Sequence, residues 1–192
     1  MERSADAVMD SGAVAALAAI GSATSPSFSP DGERIAYVAN VSGSPQVWIT
    51  SISGGTPIQI TDLPDPVQQV RWSPAGDWLA HDVAPGGGFN AQIYVVRPDG
   101  RDARRLTQGG QINNMLDGWR HDGRALAFGT NAADPARIDA VLVDPETGDL
   151  RPVGQPEGMS SVTDLSRDGA WAVVNRLVSS AWSSKLTRKN SS

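Results

Sequence analysis

The feature that most constrains the fold is a short turn sequence that occurs four times at nearly equal intervals. The copies are S-P-D-G (29–32), S-P-A-G (73–76), R-H-D-G (120–123) and S-R-D-G (166–169), and their glycines are 44, 47 and 46 residues apart. A fixed period of this length is typical of repeat proteins, in which each repeat forms one unit and stacks on its neighbours. Glycine supplies the positive φ of such a turn, and proline or aspartate before it favours the same geometry.

Each turn lies between short stretches of β character. An apolar residue precedes the turn and an apolar run follows it, and then come a second β-rich run, another turn and a short closing run. The second runs are residues 46–49, 92–96 and 138–143, and the closing runs are 58–61, 104–107 and 150–153. Four short strands in about 45 residues, joined as a meander, predict a blade of a β-propeller. The predicted fold class is all-β: a partial β-propeller with three full four-stranded blades and an incomplete fourth.

The repeat also divides the chain into segments. Residues 1–21 are predicted to form a short N-terminal helix, and residues 22–178 the propeller. The predicted blades are residues 22–64, 65–110, 111–157 and 158–178. After Val178 the pattern stops, and residues 179–192 form an atypical tail rich in serine and lysine. We interpret this tail as a truncated or frame-shifted end, with a disordered tail as the alternative.

The blade sequence resembles a known group of propellers. The run F-S-P-D-G-E-R-I-A-Y (28–37), followed by Q-V-W-I-T-S-I-S-G-G-T-P-I-Q-I-T (46–61), is similar to blades of TolB-type proteins and of the prolyl oligopeptidase family of serine peptidases. Within that peptidase family it looks most like the acylaminoacyl-peptidase and dipeptidyl-aminopeptidase members. The resemblance covers about residues 10–178. In those peptidases it implies a propeller that covers the active site and admits small or unfolded peptides.

The catalytic groups of that family belong to a C-terminal α/β-hydrolase domain, whose nucleophile lies in a G-x-S-x-G elbow. This sequence has no such motif. The nearest string, S-I-S-G-G (51–55), lacks the first glycine and falls in a predicted hairpin turn. The family's catalytic serine, aspartate and histidine therefore have no positions here, and we assign no catalytic, cofactor-binding or metal-binding residue.

The two histidines are the remaining candidates for acid–base chemistry, because each precedes an aspartate, in His81–Asp82 and His121–Asp122. A His–Asp pair can orient a general base. The two pairs occupy different places in the repeat, so we interpret His81 as a strand residue and His121 as a turn residue. The acidic residues are scattered without the spacing of a calcium loop, and no metal or cofactor is expected.

Three further patterns are interpreted as structural. A phosphate-binding loop requires a lysine after its glycines. No lysine follows the triple glycine at 86–88, which is predicted to be a flexible hairpin loop. A small basic cluster is predicted to form a solvated face, with contact to an acidic partner as the alternative, and its members are Arg101, Arg104 and Arg105. The six tryptophans recur mainly at blade positions and are predicted to pack in the core.

Composition narrows the classes of function. Cysteine is absent, which excludes disulfides, thiolate metal sites and cysteine nucleophiles. A net charge of −5 argues against a surface that follows nucleic-acid phosphates. No apolar run approaches the ~20 residues that cross a bilayer, and the apolar residues 13–20 lack the basic flank of a secretory signal. We expect a cytoplasmic protein with no nucleic-acid or membrane partner, and the periplasm is the alternative location.

Two functions are consistent with these patterns. The first is the substrate-gating propeller portion of a prolyl-oligopeptidase-like serine peptidase, where a peptide substrate is reached through a catalytic domain missing from this chain. The alternative is a TolB-like propeller module for protein or peptide binding with no link to an enzyme. Because three and a half blades cannot close a ring, self-association through the open blade edges is also expected.

Overall fold

The computed structural model describes residues 21–155, 158–178 and 181–188. They form four antiparallel sheets in which strands that follow one another in the chain are paired. Blade one contains β1 (Ala23–Phe28), β2 (Arg34–Ala39), β3 (Gln46–Ser51) and β4 (Ile58–Gln59). Blade two contains β5 (Val67–Trp72), β6 (Leu79–Val83), a 3-10 turn (Pro85–Gly87), β7 (Gln92–Val96) and β8 (Arg104–Arg105). Blade three contains β9 (Asn114–Trp119), β10 (Leu126–Thr130), β11 (Asp139–Val143) and β12 (Leu150–Pro152). The predicted all-β partial propeller with three full blades is confirmed.

Blade four differs from the prediction in one strand. It contains β13 (Met159–Leu165), β14 (Trp171–Val178) and β15 (Ala181–Arg188). The sequence pattern predicted no strand after Val178, and this was wrong, because β15 pairs with β14 along its whole length. The side chains of residues 183–186 are exposed, so backbone hydrogen bonds hold this strand without an apolar pattern of its own. With three strands in its described residues, blade four is incomplete, as predicted.

The residue before β1 is hydrogen bonded to the loop that follows β2. The amide of Ser22 donates a hydrogen bond to Oδ1 of Asn40 at 2.7 Å. The predicted N-terminal helix lies, except for Gly21, outside the described residues. Within the described residues, no helix is long and apolar enough to cross a membrane.

The repeated turns have the geometry that their sequence predicts. In each, the glycine has a φ between +67° and +82°, and its amide donates to the carbonyl three residues earlier at 2.8–2.9 Å. These glycines are Gly32, Gly76, Gly123 and Gly169. Asp31 and Asp168 each accept a hydrogen bond from the amide two residues ahead, in both cases at 2.9 Å. The side chains thus satisfy amides that the turn leaves unpaired.

Successive turns also pack on one another along the propeller. A Cβ placed on Gly76 would lie 3.2 Å from Cγ of Pro30, in the turn of the preceding blade. A Cβ on Gly123 would lie 2.6 Å from the Cβ of Ala75 in the same way. No blade precedes that of Gly32 among the described residues, and a Cβ at position 32 would meet nothing within 4 Å. The missing side chain therefore lets one turn approach the next, in addition to permitting the positive φ.

This packing predicts that Gly123→Ala destabilises the protein more than Gly32→Ala does. The two glycines have nearly the same φ, +71° and +73°, so each alanine has the same conformational cost of about 1–2 kcal/mol. Only the alanine at position 123 must displace the neighbouring turn, which adds about 1–3 kcal/mol. Urea unfolding followed by tryptophan fluorescence measures both values. Equal losses of stability would contradict the close approach of the turns.

The core lies between the blades, because side chains along each strand alternate between two faces of the sheet. We call the face toward the following blade the front face and the face toward the preceding blade the back face. Ala36 and Ile49 on the front face of blade one pack with Trp72 and Leu79 on the back face of blade two. The same front-to-back packing recurs between blades two and three and between blades three and four.

The tryptophans follow this division. Trp72 and Trp78 are buried, Trp48 and Trp119 are partly buried, and Trp171 at the front of blade four is exposed. Core packing is therefore confirmed for Trp72 and Trp78, and in part for Trp48 and Trp119. It does not hold at the front face of blade four, which no described blade covers.

Candidate binding surface at the inner strands

The first strand of each sheet lies at the centre of the propeller. β1 contacts β5, and β9 contacts β13, so that the first strands of neighbouring blades approach one another. Such strands surround the central channel in a propeller. Their polar side chains are therefore the first place to look for a binding surface.

Each inner strand contains a β-bulge, which shifts its register against the second strand. A bulge bends the strand and redirects a side chain, and bulges are common beside functional sites. A polar residue lies at the bulge in every blade, and in blade one Pro26 lies there as well. The polar residues are Ser25, Gln68, Asp117 and Thr163.

Two of the bulge side chains bind the next blade. Oδ2 of Asp117 accepts a hydrogen bond from the amide of Val162 at 2.8 Å. Oγ of Ser25 accepts from the amide of Val70 at 3.0 Å and donates to the carbonyl of the same residue at 3.3 Å. Burial raises the pKa of Asp117 to about 6, and the hydrogen bond from Val162 opposes this rise. These two side chains hold neighbouring blades together.

The other two bulge residues, Gln68 and Thr163, are exposed, as is Asp164 beside Thr163. We call these three residues the inner polar strip. The hydroxyl of Thr163 donates to the carbonyl of Val173 at 3.2 Å and keeps its oxygen lone pairs for accepting. The strip thus offers an amide, a hydroxyl and a carboxylate, which can hydrogen bond to a peptide backbone.

The His81–Asp82 pair does not form a catalytic dyad. His81 lies on β6, as predicted, where it is buried and stacks on Tyr94 with ring centroids 5.6 Å apart. Burial lowers the pKa of His81 to about 4. Asp82 points to the other face of the strand, where it accepts hydrogen bonds from the amide and the side chain of Gln69 at 3.0 and 2.9 Å. Burial raises the pKa of Asp82.

The His121–Asp122 pair lies in the turn of blade three, as predicted. Asp122 accepts two hydrogen bonds from the guanidinium of Arg120 at 2.7 and 2.6 Å, which lower the pKa of its carboxyl to about 2. His121 is exposed, and its Nε2 lies 4.0 Å from Oδ1 of Asp164. Among the described residues, neither histidine is hydrogen bonded to a serine hydroxyl.

The two glycine-containing strings are turns. Residues 51–55 comprise the last residue of β3 and part of its connection to β4, where Gly54 and Gly55 have φ of +92° and +114°. The triple glycine lies in the loop between β6 and β7, where the amide of Gly86 donates to Oδ1 of Asp65 at 2.7 Å. Among the described residues, no group of three or more histidine and acidic side chains is placed to hold a metal ion.

The basic cluster is solvated only in part. Arg101 is exposed and pairs with Asp99 at 3.1 Å, as predicted. Arg104 departs from the prediction, because its guanidinium donates to the carbonyl of Pro145 in blade three and lies 4.9 Å from the ring centroid of Trp78. The arginine is held there by contacts between two blades.

A related cluster at the contact between blades two and three was not apparent from the sequence. Nε1 of buried Trp78 donates to Oε1 of Glu146 at 3.0 Å, and Arg97 lies over the Trp78 ring with its Cζ 3.5 Å from the centroid. Arg97 also pairs with Glu146 at 2.9 Å. These three residues, which we call the Trp78 cluster, join blade two to a turn of blade three. Trp78 and Glu146 are 68 positions apart, and no local pattern connects them.

The four described antiparallel sheets define a β-propeller domain. Residues 10–189 match the TolB beta propeller domain family, and the chain belongs to that family. It is a propeller similar to TolB and to the propeller regions of peptidases, without a catalytic domain among its described residues.

Individual proteins show the same relationship. The chain is 26% identical over 153 residues to the uncharacterized peptidase YuxL of Bacillus subtilis strain 168, a match that covers 79% of this chain and 21% of YuxL. Its fold is similar to TolB from Acinetobacter baumannii, with a TM-score of 0.67 and 21% identity over 88% of this chain and 41% of TolB. It is equally similar to a prolyl endopeptidase, with a TM-score of 0.67 and 16% identity over 86% of this chain and 26% of the peptidase. The chain thus spans about a fifth of the length of YuxL, and the resemblance inferred from the blade sequence is confirmed.

Proposed function

We propose that this chain is the substrate-gating propeller portion of a serine peptidase of the prolyl oligopeptidase type. The observation that carries the proposal is the match to the peptidase YuxL over 79% of this chain. The fold that the chain shares with a prolyl endopeptidase supports it. In this function the propeller contributes no reacting group and selects substrates by their size and flexibility.

The inner polar strip suits that task. The amide of Gln68 and the hydroxyl of Thr163 can each donate and accept, so they can bind a peptide backbone whatever its side chains are. Exposed groups of this kind bind weakly, because each exchanges a hydrogen bond to water for one to the peptide. A gate needs weak contacts that do not depend on sequence, since the peptide must move on to a catalytic centre elsewhere.

The second candidate is a TolB-like module that binds a protein or peptide without any link to an enzyme. It is favoured by membership of the TolB beta propeller domain family and by the similar fold of TolB. The two functions differ in what the propeller does for a catalytic domain. Under the second, it would restrict no peptidase.

A chimera distinguishes the two. The segment of YuxL that aligns with this chain is replaced by the matching residues of this chain, and a second YuxL variant has the segment deleted. Cleavage of a short aminoacyl chromogenic substrate and of a folded protein is measured for both. We expect the chimera to cleave the short substrate and to spare the folded protein, whereas the deletion variant cleaves both.

The isolated chain is the control, and it should hydrolyse neither substrate above the rate in buffer. A chimera that cleaves the folded protein as fast as the deletion variant does would overturn the gating function and favour the binding module. Hydrolysis by the isolated chain, blocked by a serine-directed phosphonate, would overturn both functions.

A further inference from the structure

A cleft of about 420 Å³ lies between blades one and two. Its wall on blade one is formed by Arg34, the first residue of β2. Its wall on blade two is formed by Asp77, which follows the second repeated turn, and by charged residues of the turn between β7 and β8, which are Arg97, Asp99, Arg101 and Asp102. Both walls belong to described blades that are neighbours in the chain, so the cleft does not depend on what precedes blade one or follows blade four. We call it the Arg34 cleft.

Arg34 is the cation of this cleft that lacks an anionic partner. Its Cζ lies 4.9 Å from the ring centroid of Trp72, which is buried and donates from Nε1 to the carbonyl of Gly76 at 3.3 Å. Among the described residues, the guanidinium of Arg34 forms no ion pair and no hydrogen bond, whereas Arg97 and Arg101 both pair with carboxylates. A guanidinium held on a fixed aromatic ring, with its N–H donors unused, is oriented in advance to bind a carboxylate.

The internal repeat shows what occupies the same place between blades two and three. Trp78 holds there the position of Arg34, two residues after the turn glycine, and its Nε1 donates to the carboxylate of Glu146 at 3.0 Å. Glu146 lies three residues after β11, and the residue three positions after β7 is Asp99. Asp99 pairs with Arg101 at 3.1 Å and not with Arg34. The carboxylate that the repeat places at this position is therefore missing from the Arg34 cleft.

The aspartates of the cleft can accept hydrogen bonds from a cation. Asp77 and Asp102 lie 3.7 and 3.4 Å from the guanidinium of Arg97. Charge-assisted hydrogen bonds are about 2.7–2.9 Å long, so neither carboxylate is held tightly by this arginine. The charged lining residues are three arginines and three aspartates. Because three carboxylates repel a bare anion, the lining favours a ligand that carries a positive group as well as a carboxylate.

We propose that the Arg34 cleft binds a short zwitterionic peptide, whose carboxylate pairs with Arg34 and whose α-ammonium donates to the aspartates of blade two. A carboxylate matches a guanidinium in a bidentate pair, and an ammonium has three donors to share. The volume of about 420 Å³ lies at the lower end of the range of about 300–1,000 Å³ found for small-molecule sites. This inference does not depend on the proposed function, because the cleft contains no residue of the inner polar strip.

An NMR titration of the ¹⁵N-labelled protein with L-alanyl-L-alanine tests the site. We expect saturable shifts of the Nε–H signal of Arg34 and the Nε1–H signal of Trp72, since these groups lie together at the cleft. The charged groups are partly exposed, so the expected dissociation constant is on the order of 1 mM. N-acetyl-alanyl-alanine lacks the ammonium and alanyl-alaninamide lacks the carboxylate. Each should bind about tenfold more weakly than alanyl-alanine, because each leaves one set of charges in the cleft unpaired.

Variants of Arg34 locate the carboxylate. Arg34→Gln removes the cation and should weaken the binding of alanyl-alanine about tenfold, whereas Arg34→Lys keeps the charge without the bidentate geometry and should lie between the two. Arg124→Gln is the matched control and should bind as the unaltered protein does. Arg124 is exposed, follows the repeated turn of blade three and has no ion pair among the described residues. Circular dichroism melts check that each variant is folded, and the comparison of the three peptides on the unaltered protein needs no variant.

Three results would overturn the proposal. The first is the absence of saturable shifts at peptide concentrations well above the expected dissociation constant. The second is equal affinity for alanyl-alanine and for either blocked peptide, which would show that the cleft does not recognise a zwitterion. The third is equal affinity of Arg34→Gln and the unaltered protein, which would place the bound peptide elsewhere. All of these readouts concern binding to the chain alone, so they are distinguishable from a failure of the peptidase chimera.

Discussion

Trp78→Ala is expected to lower the free energy of unfolding by about 3–5 kcal/mol, a large part of the roughly 5–15 kcal/mol that a domain of this kind has. Trp78 is buried between blades two and three, where its ring packs with Leu126 and Val143. Truncation leaves a cavity in this layer. It also leaves Glu146 without the hydrogen bond from Nε1 and removes the ring that Arg97 covers.

Trp78→Phe separates packing from hydrogen bonding. Phenylalanine keeps most of the apolar ring and loses the donor, so the expected loss is about 1–2 kcal/mol. Urea unfolding followed by circular dichroism measures both variants without depending on tryptophan emission. If Trp78→Phe costs as much as Trp78→Ala, the hydrogen bond to Glu146 and not the packing dominates. A cost below about 1 kcal/mol for Trp78→Ala would contradict its burial.

His81→Phe is expected to remove an acid-sensitive part of the stability. The pKa of His81 is about 4 in the folded protein, below the ordinary value of 6.5 that applies when the chain is unfolded. Between these two values the unfolded chain binds a proton that the folded protein does not, so stability falls as the pH falls from about 6.5 to 4. The loss amounts to about 3 kcal/mol and levels off below pH 4. Phenylalanine fits the site, because Phe128 occupies the equivalent position in blade three.

The measurement is the difference in unfolding free energy between His81→Phe and the unaltered protein across this pH range. A difference is needed because two carboxyls, those of Asp117 and Asp82, have pKa values raised by burial and act with the opposite sign. Their contributions cancel in the comparison. Parallel pH profiles for His81→Phe and the unaltered protein would show that His81 is accessible to protons in the folded state.

Much of the fold could be predicted because its signals are local. The positive φ of Gly76 or Gly169 is needed by the turn itself, whatever lies around it. The strands beside the turns follow from the alternation of apolar residues, and the second run of blade two matches β7 (Gln92–Val96). β15 was missed because it has no such apolar alternation. Its pairing with β14 depends on backbone hydrogen bonds.

The contacts between blades could not be predicted, because they depend on how one sheet is placed against the next. Asp117 and Val162 are 45 positions apart, and only the bulge in β9 brings the carboxylate to that amide. The polar character of Asp117 is visible in the sequence, but it fits an exposed strand residue equally well. The locations of His81 and His121 could be predicted from their distance to the turn glycine, because that distance determines whether a residue lies in a strand or in a turn.

In blades one and two the strands are shorter at the outer edge than at the centre, so the hydrogen bonding of these blades weakens outwards. β4 and β8 have two residues each, whereas the inner strands β1 and β5 have six and contact each other. Amide hydrogens at the outer edge therefore exchange with solvent through brief local fraying, which needs little free energy. Those at the centre exchange only when two adjoining blades separate, since each layer of the core belongs to both. The cooperative unit of this protein is thus the seam between two blades and not the single blade.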